Sequence, residues 1–266
     1  MADFGERFEL YLFHRTIACD QASLKGGVDG LVIDLETRGK AERQSGFDTE
    51  INTHTIEDLR RVKAELGAYV ICRINPSGPS LAREIEDVIH ERADEILVPL
   101  IRSVDEAEEV VDLVKGRCKV ALMVETAEAT RIVEQLCRLP IHRLYVGLND
   151  LRISRGSSSI FTPLVDGLLE NSRLDAGDTN FGFAGLTLPG LGRPLPVHHL
   201  INEMARLRCT FSFLRRSFYR DIAGRSPKTE IVRIRRSLHQ ASQRPAEIVA
   251  EDLARLAHAV SRLAQG

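Results

Sequence analysis

The sequence predicts an α/β fold, a (β/α)8 TIM barrel with an additional C-terminal helix. Three observations predict it. Short apolar runs alternate with longer segments of helical period, the pattern of parallel strands joined by crossover helices. The runs number eight, which favours a closed barrel over an open sheet, and each is apolar nearly throughout, as strands buried on both faces are. The 266 residues suit one such barrel, which takes about 250 residues as a single domain. No linker or internal repeat divides residues 1–266, so one domain is expected.

In chain order the strands are Glu9–Phe13, Gly30–Leu35, Tyr69–Ile74, Glu95–Pro99, Val120–Val124, Arg143–Gly147, Phe181–Leu186 and Thr210–Leu214. Between them, helix starts are legible. Thr55-Ile-Glu-Asp58 resembles a capping box, weakened by the short Asp. Ser103-Val-Asp-Glu106 is a full one, with Ser103 capping and Glu106 reaching back. Pro163 suits the first turn of a helix running to about Asn171. From Pro245 onward, Ile248, Leu253, Leu256, Ala257, Val260 and Leu263 form an apolar stripe. The eight strands are complete before it, so residues 245–266 are expected outside the barrel, in the interface of a homo-oligomer.

Hydrophobic residues make up 43% and charged residues 28%, a globular composition. A net charge of −2 gives no general attraction to nucleic acid or acidic membranes. No apolar run approaches the ~20 residues of a membrane span, and the N-terminal residues lack a signal-peptide pattern. A cytoplasmic protein with a small-molecule partner is expected. The five cysteines are scattered without metal-ligand spacing, which reads as free thiols in a reducing compartment.

Active sites of such barrels lie at the C-terminal ends of the strands. His14 and Arg15 follow the first strand there. The second ends in Asp34-Leu-Glu36-Thr37-Arg38 and the third in Arg73-Ile-Asn75. Glu125-Thr126 follows the fifth, Asn149-Asp150 the sixth, and Arg215-Arg216 the eighth. Charged residues at six strand ends, converging on one mouth, exceed what solvation requires. Strand alternation allows at most one of Arg215 and Arg216 to face inward. His54 is a candidate lid residue.

Five of these segments, in order over roughly residues 28–156, resemble the aldolase/citrate-lyase superfamily. They are Leu-Val-Ile-Asp34-Leu-Glu36, Cys72-Arg73-Ile-Asn75, Leu-Val-Pro99-Leu-Ile, Val-Glu125-Thr-Ala-Glu-Ala, and Tyr-Val-Gly147-Leu-Asn-Asp150-Leu-Arg-Ile-Ser-Arg-Gly156. The resemblance implies a divalent-metal-dependent carbon–carbon lyase of aldolase type, acting on a 2-oxo acid or related hydroxy acid through a metal-stabilised enolate. Glu125 and Asp150 would be the ligands of Mg2+ or Mn2+, and two hard carboxylates suit either ion. Arg73 would face the substrate carboxylate or the developing enolate oxygen, adding positive charge where negative charge forms. Asp34, Arg15, Asn75, Arg215 and Arg216 are the further substrate-binding candidates. Members of the superfamily form trimers or hexamers, often exchanging a terminal helix.

The lysines agree with a metal route. Of only six in the chain, Lys119 stands at the wrong end of its strand and Lys40 alone lies in an apparent mouth loop, so a Schiff base is disfavoured. The sequence also departs from the superfamily. The histidine or aspartate usual after the second-strand acidic pair is Thr37, and the lysine usual after the fourth-strand proline is Leu100. His14, then Glu36, are the candidates to replace the missing base. Two other functions stay open: a CoA-thioester or phosphoenolpyruvate-type lyase or transferase on the same site, and a catalytically degenerate ligand-binding barrel.

Overall fold

Seven of the eight apolar runs form one strand each and the run Phe181–Leu186 forms two, because successive side chains in each can be buried on opposite faces. The strands are β1 (Glu9–Phe13), β2 (Gly30–Asp34), β3 (Val70–Arg73), β4 (Glu95–Val98), β5 (Lys119–Val124), β6 (Arg143–Val146), β7 (Asn180–Phe183), β8 (Gly185–Leu186) and β9 (Phe211–Leu214). The computed structural model describes residues 4–39 and 53–265. Lys40, the one lysine expected in a mouth loop, lies outside the described residues.

All strands pair in parallel, in the order β7-β6-β5-β4-β3-β2-β1-β9-β8. The run Phe181–Leu186, expected as one strand, is broken into β7 and β8 by Ala184, which takes the left-handed region at φ 51°. β7 pairs with β6 and β8 with β9, so the two edges of the sheet belong to one interrupted stave. The Thr210 N–H donates to the Phe181 carbonyl at 2.9 Å across that seam, and the barrel is nearly closed.

Alternation divides the core in two. Tyr11, Val32, Ile71, Leu97, Met123 and their neighbours fill the barrel interior, while Leu10, Leu12, Leu31 and Ile33 pack outward beneath the helices. The N-terminal ends of the strands form a charged floor. Arg143, 1% exposed, donates from Nε to Glu95 at 2.8 Å, from Nη1 to Glu9 at 2.9 Å and from Nη2 to the Tyr11 hydroxyl at 3.0 Å. Its guanidinium also lies over the Tyr11 and Phe211 rings. The floor closes the barrel at the end opposite the mouth.

Local signals resolve in detail. Thr55 and Asp58 complete a reciprocal capping box on helix Ile56–Leu66, so the short Asp reaches after all. Ser103 caps helix Val104–Val114, but Glu106 reaches one residue further back, to the Arg102 N–H at 2.8 Å. Pro163 lies in a 3-10 turn, Thr162–Leu164, and the helix after it, Leu168–Asp175, is separate because Gly167 intervenes at φ 85°. The C-terminal helix is Ala246–Gln265. It lies on helix Val197–Arg206 of its own chain, burying Leu256 and Val260 and leaving Ile248 exposed. No helix among the described residues is long and apolar enough to cross a membrane.

Candidate active site

A cavity of about 430 Å³ opens at the C-terminal ends of the strands. Glu125 follows β5 and is buried at its base. Its Oε1 accepts the Leu100 N–H at 3.0 Å, and Leu100 holds the left-handed region at φ 54° to present that N–H. Its Oε2 occupies the space beside Gly147 where any Cβ would collide with it, so only glycine at 147 admits the carboxylate. Asp150 is buried in the first turn of helix Leu148–Arg155, which begins directly after β6 and Gly147. Burial, then repulsion from Asp150 and Glu36, push the Glu125 carboxyl up to about 8, with Arg73 opposing. Two desolvated acids thus face one cavity and repel each other.

Arg73, at the end of β3, lines the same cavity and is 7% exposed. It binds Asp34 with both arms of its fork, Nε to Oδ1 at 2.8 Å and Nη2 to Oδ2 at 2.7 Å. Its Nη1 stands 3.5 Å from Glu36 Oε2. Burial works against the Arg73 charge, but Asp34 and then Glu36 outweigh it and keep the group cationic. Arg73 thus lines the cavity while its guanidinium is bound by Asp34, with Glu36 close by. Asp34 also receives Arg216 Nη2 at 3.4 Å.

Three candidates sit elsewhere. Phe13 ends β1 and lines the cavity, and His14 is not among the residues that line it. The His14 Nδ1 pairs with buried Asp20 at 2.5 Å, and Asp20 also accepts the Tyr219 hydroxyl at 2.8 Å. Arg15 is exposed and stacks over Tyr219. Asn75 pins the chain after β2, its Oδ1 accepting the N–H groups of Thr37 and Arg38 at 2.9 and 2.8 Å. His54, read as a lid residue, accepts the Asp34 N–H on its Nδ1 at 2.9 Å.

Arg215 and Arg216 both line the cavity, against the alternation argument, because β9 ends at Leu214 and the two arginines lie beyond its pleat. Sequence reasoning missed Arg193, Arg220 and Tyr145, which also line it. The first two sit outside the strands, where no periodicity marks them. Tyr145 alternates inward on β6 and could have been found that way; its hydroxyl donates to the Ala184 carbonyl at 2.7 Å.

No family model matches the sequence, and no curated protein matches it. Solved structures do. An HpcH/HpaI aldolase from Desulfitobacterium hafniense superposes with a TM-score of 0.61 at 11% identity, over 91% of this chain and 95% of that one. The citrate synthase SbnG gives 0.59 at 17% identity, over 82% and 91%. An HpcH/HpaI aldolase/citrate lyase family protein from Burkholderia cenocepacia gives 0.58 at 15% identity, over 79% and 88%. The chain has the fold of these proteins. A tryptophan synthase from M. tuberculosis matches at 0.56 as well, so architecture at this level of identity carries no chemistry of its own.

Proposed function

We propose that this chain is a carbon–carbon lyase of aldolase type that acts on a 2-oxo acid or related hydroxy acid with a divalent cation, Mg2+ or Mn2+. The observation that carries the reading is the buried pair Glu125 and Asp150 facing a cavity beside Arg73. The pair fits a hard cation: both donors are carboxylates, their mutual repulsion calls for positive charge, and Gly147 leaves room for Glu125 Oε2. Among the described residues no third His, Cys, Asp or Glu completes a metal cluster, so water and substrate would fill the other positions, as is usual for Mg2+.

Glu125 and Asp150 would hold the cation, which when bound would supply Lewis acidity to a keto group of the substrate. The chain's own contribution is positional. Arg73, locked by Asp34, places fixed positive charge where charge develops as the C–C bond breaks, without reorganising at the moment of reaction. Leu97, Met123 and Phe161 give the cavity apolar wall and raise the strength of those charges. Glu36 is not among the residues lining the cavity and acts on the substrate through Arg73 and Glu125. We place the protein in the cytoplasm, as a homo-oligomer, trimer or hexamer.

One observation favours a second reading, a barrel that binds such a ligand without turning it over: no histidine is among the described residues that line the cavity. The two readings separate in one experiment. Calorimetry with Mn2+ and oxalate should show each tightening the other's binding, by thermodynamic reciprocity, and the double variant Glu125→Ala, Asp150→Ala should lose this. Equal Mn2+ binding by wild type and double variant would sink both readings. Pyruvate release from a 4-hydroxy-2-oxo acid, dependent on Mn2+, selects the lyase; binding without release selects the degenerate barrel.

A further inference from the structure

We propose that Arg215 is the centre of a second anion subsite, which takes a carboxylate or phosphate at the far end of the substrate from its 2-oxo acid head. The lyase reading supplies the head group, and the subsite extends it to a class of substrate: 2-oxo acids that carry a second anionic group.

Arg215 is built into the cavity wall. Its Nε donates to the Gly185 carbonyl at 2.9 Å, and its stem crosses Gly185 where a Cβ would meet Arg215 Cγ at 2.9 Å. Glycine at 185 therefore admits the arginine. Its charge is underserved. Among the described residues no carboxylate stands within ion-pair distance of it, whereas the other two buried arginines, Arg73 and Arg143, each hold one at 2.8 Å or less. Burial pushes the Arg215 group down, with Asp221 and then Tyr145 acting the other way from beyond bonding distance. A guanidinium has five N–H donors, and the Gly185 carbonyl uses one. A half-buried cation lining a cavity with most of its donors uncommitted is completed by an anion.

Its neighbours add to this. Arg216 shares its carboxylate, Asp34, with Arg73, which already holds both oxygens. Arg193 and Arg220 stand exposed at the rim. Among the described residues five arginines and two carboxylates line the cavity, and the carboxylates are at the other end from Arg215. Glu125 and Asp150 follow β5 and β6, Arg215 follows β9, and the broken stave β7–β8 separates them. Strands lie ~4.8 Å apart, so the two ends are on the order of 10 Å apart, the span of a short carbon chain. Tyr145 lies between, within electrostatic reach of Glu125 and Arg215 alike.

Calorimetry on the full chain with Mn2+ tests this with matched pairs that differ only in the distal group. 2-Oxoglutarate against 2-oxovalerate reads a carboxylate, and 3-phosphohydroxypyruvate against hydroxypyruvate reads a phosphate. We expect one charged member to bind about 10- to 100-fold tighter than its partner, the scale of a charged hydrogen bond. Which pair shows the preference names the anion. Arg215→Gln should abolish the preference and leave oxalate binding unchanged; Arg215→Lys, which keeps the charge if the Gln variant folds poorly, should lose part of it. No preference in either pair, or a preference that survives in Arg215→Gln, overturns the subsite. If oxalate itself fails to bind, the lyase reading has failed, and the subsite is then read without metal. Binding of succinate or inorganic phosphate that is lost in Arg215→Gln keeps it, and no such binding overturns it.

Discussion

Glu125 is the residue whose protonation the fold controls most directly. Burial, Asp150 and Glu36 raise its carboxyl to about 8, above the ordinary value of 4.5. Folded protein therefore holds a proton that unfolded chain has released, and stability contributed this way is fully present below about 4.5 and lost as pH rises to about 8. Metal-free protein should accordingly melt at lower temperature at pH 8 than at pH 5, and Glu125→Gln should flatten this slope. Added Mn2+ should flatten it too, since a cation takes the proton's place. An unchanged slope in Glu125→Gln would show that other groups set the profile. Glu125, Asp150 and Arg73 could be placed at the mouth from the sequence because each lies at or shortly after the C-terminal end of an apolar run. His14 follows β1 as the sequence reads, but it is held by Asp20 and does not line the cavity, a pairing that the strand pattern does not encode. Arg193 and Arg220 were not legible at all, since a loop residue and a residue of the four-residue helix Phe218–Asp221 reach a mouth by routes that no strand periodicity encodes.

At the scale of elements, all eight strands were legible from apolar runs, and their ends agree with the structure to within about two residues, the ordinary boundary error. What was not legible is the break at Ala184, a single left-handed residue in an apolar run, and the charged floor, whose partners are far apart in sequence. Glu9, Glu95 and Arg143 begin β1, β4 and β6, and only closure of the barrel brings them together. The floor's work is structural, since conserved chemistry in these barrels sits at the opposite face. Arg143→Leu should cost about 3–5 kcal/mol, because it leaves Glu95 buried without its cation. Chemical denaturation measures this. The double variant Arg143→Leu, Glu95→Leu should recover much of the loss, as removing both members of a buried pair often does. A single variant as stable as wild type would show that Tyr69 and His142, which also bond Glu95, suffice to neutralise it.

The whole molecule joins a nearly closed barrel to a twenty-residue C-terminal helix. The apolar stripe of that helix was legible, but what covers it was not, since a stripe fixes a face and leaves the partner open. In this chain the face is partly spent at home. Leu256 and Val260 are buried, Asn202 donates to Asp252 at 3.1 Å, and Arg244 ties Asp252 to the Asn202 carbonyl. Helix Val197–Arg206 thus lies between this helix on one side and β8 and helix Pro227–Ser242 on others. Removing residues 245–266 should uncover it. Each fully buried aliphatic side chain contributes about 1.5–3 kcal/mol, and each kcal/mol moves the melting point of a chain this size by about 2–4 °C. The truncated protein should therefore melt several degrees lower. Ile248 remains 38% exposed at the start of the helix, and it offers a neighbouring copy an apolar contact on the face the barrel does not cover. If the helix also joins subunits, as the sequence leads one to expect, light scattering on the truncated protein should report a smaller assembly, and Ile248→Glu should do so with little change in melting of the monomeric unit. A truncated chain with the melting temperature and mass of wild type would refute both roles; a lower melting temperature at constant mass would confine the helix to its own barrel.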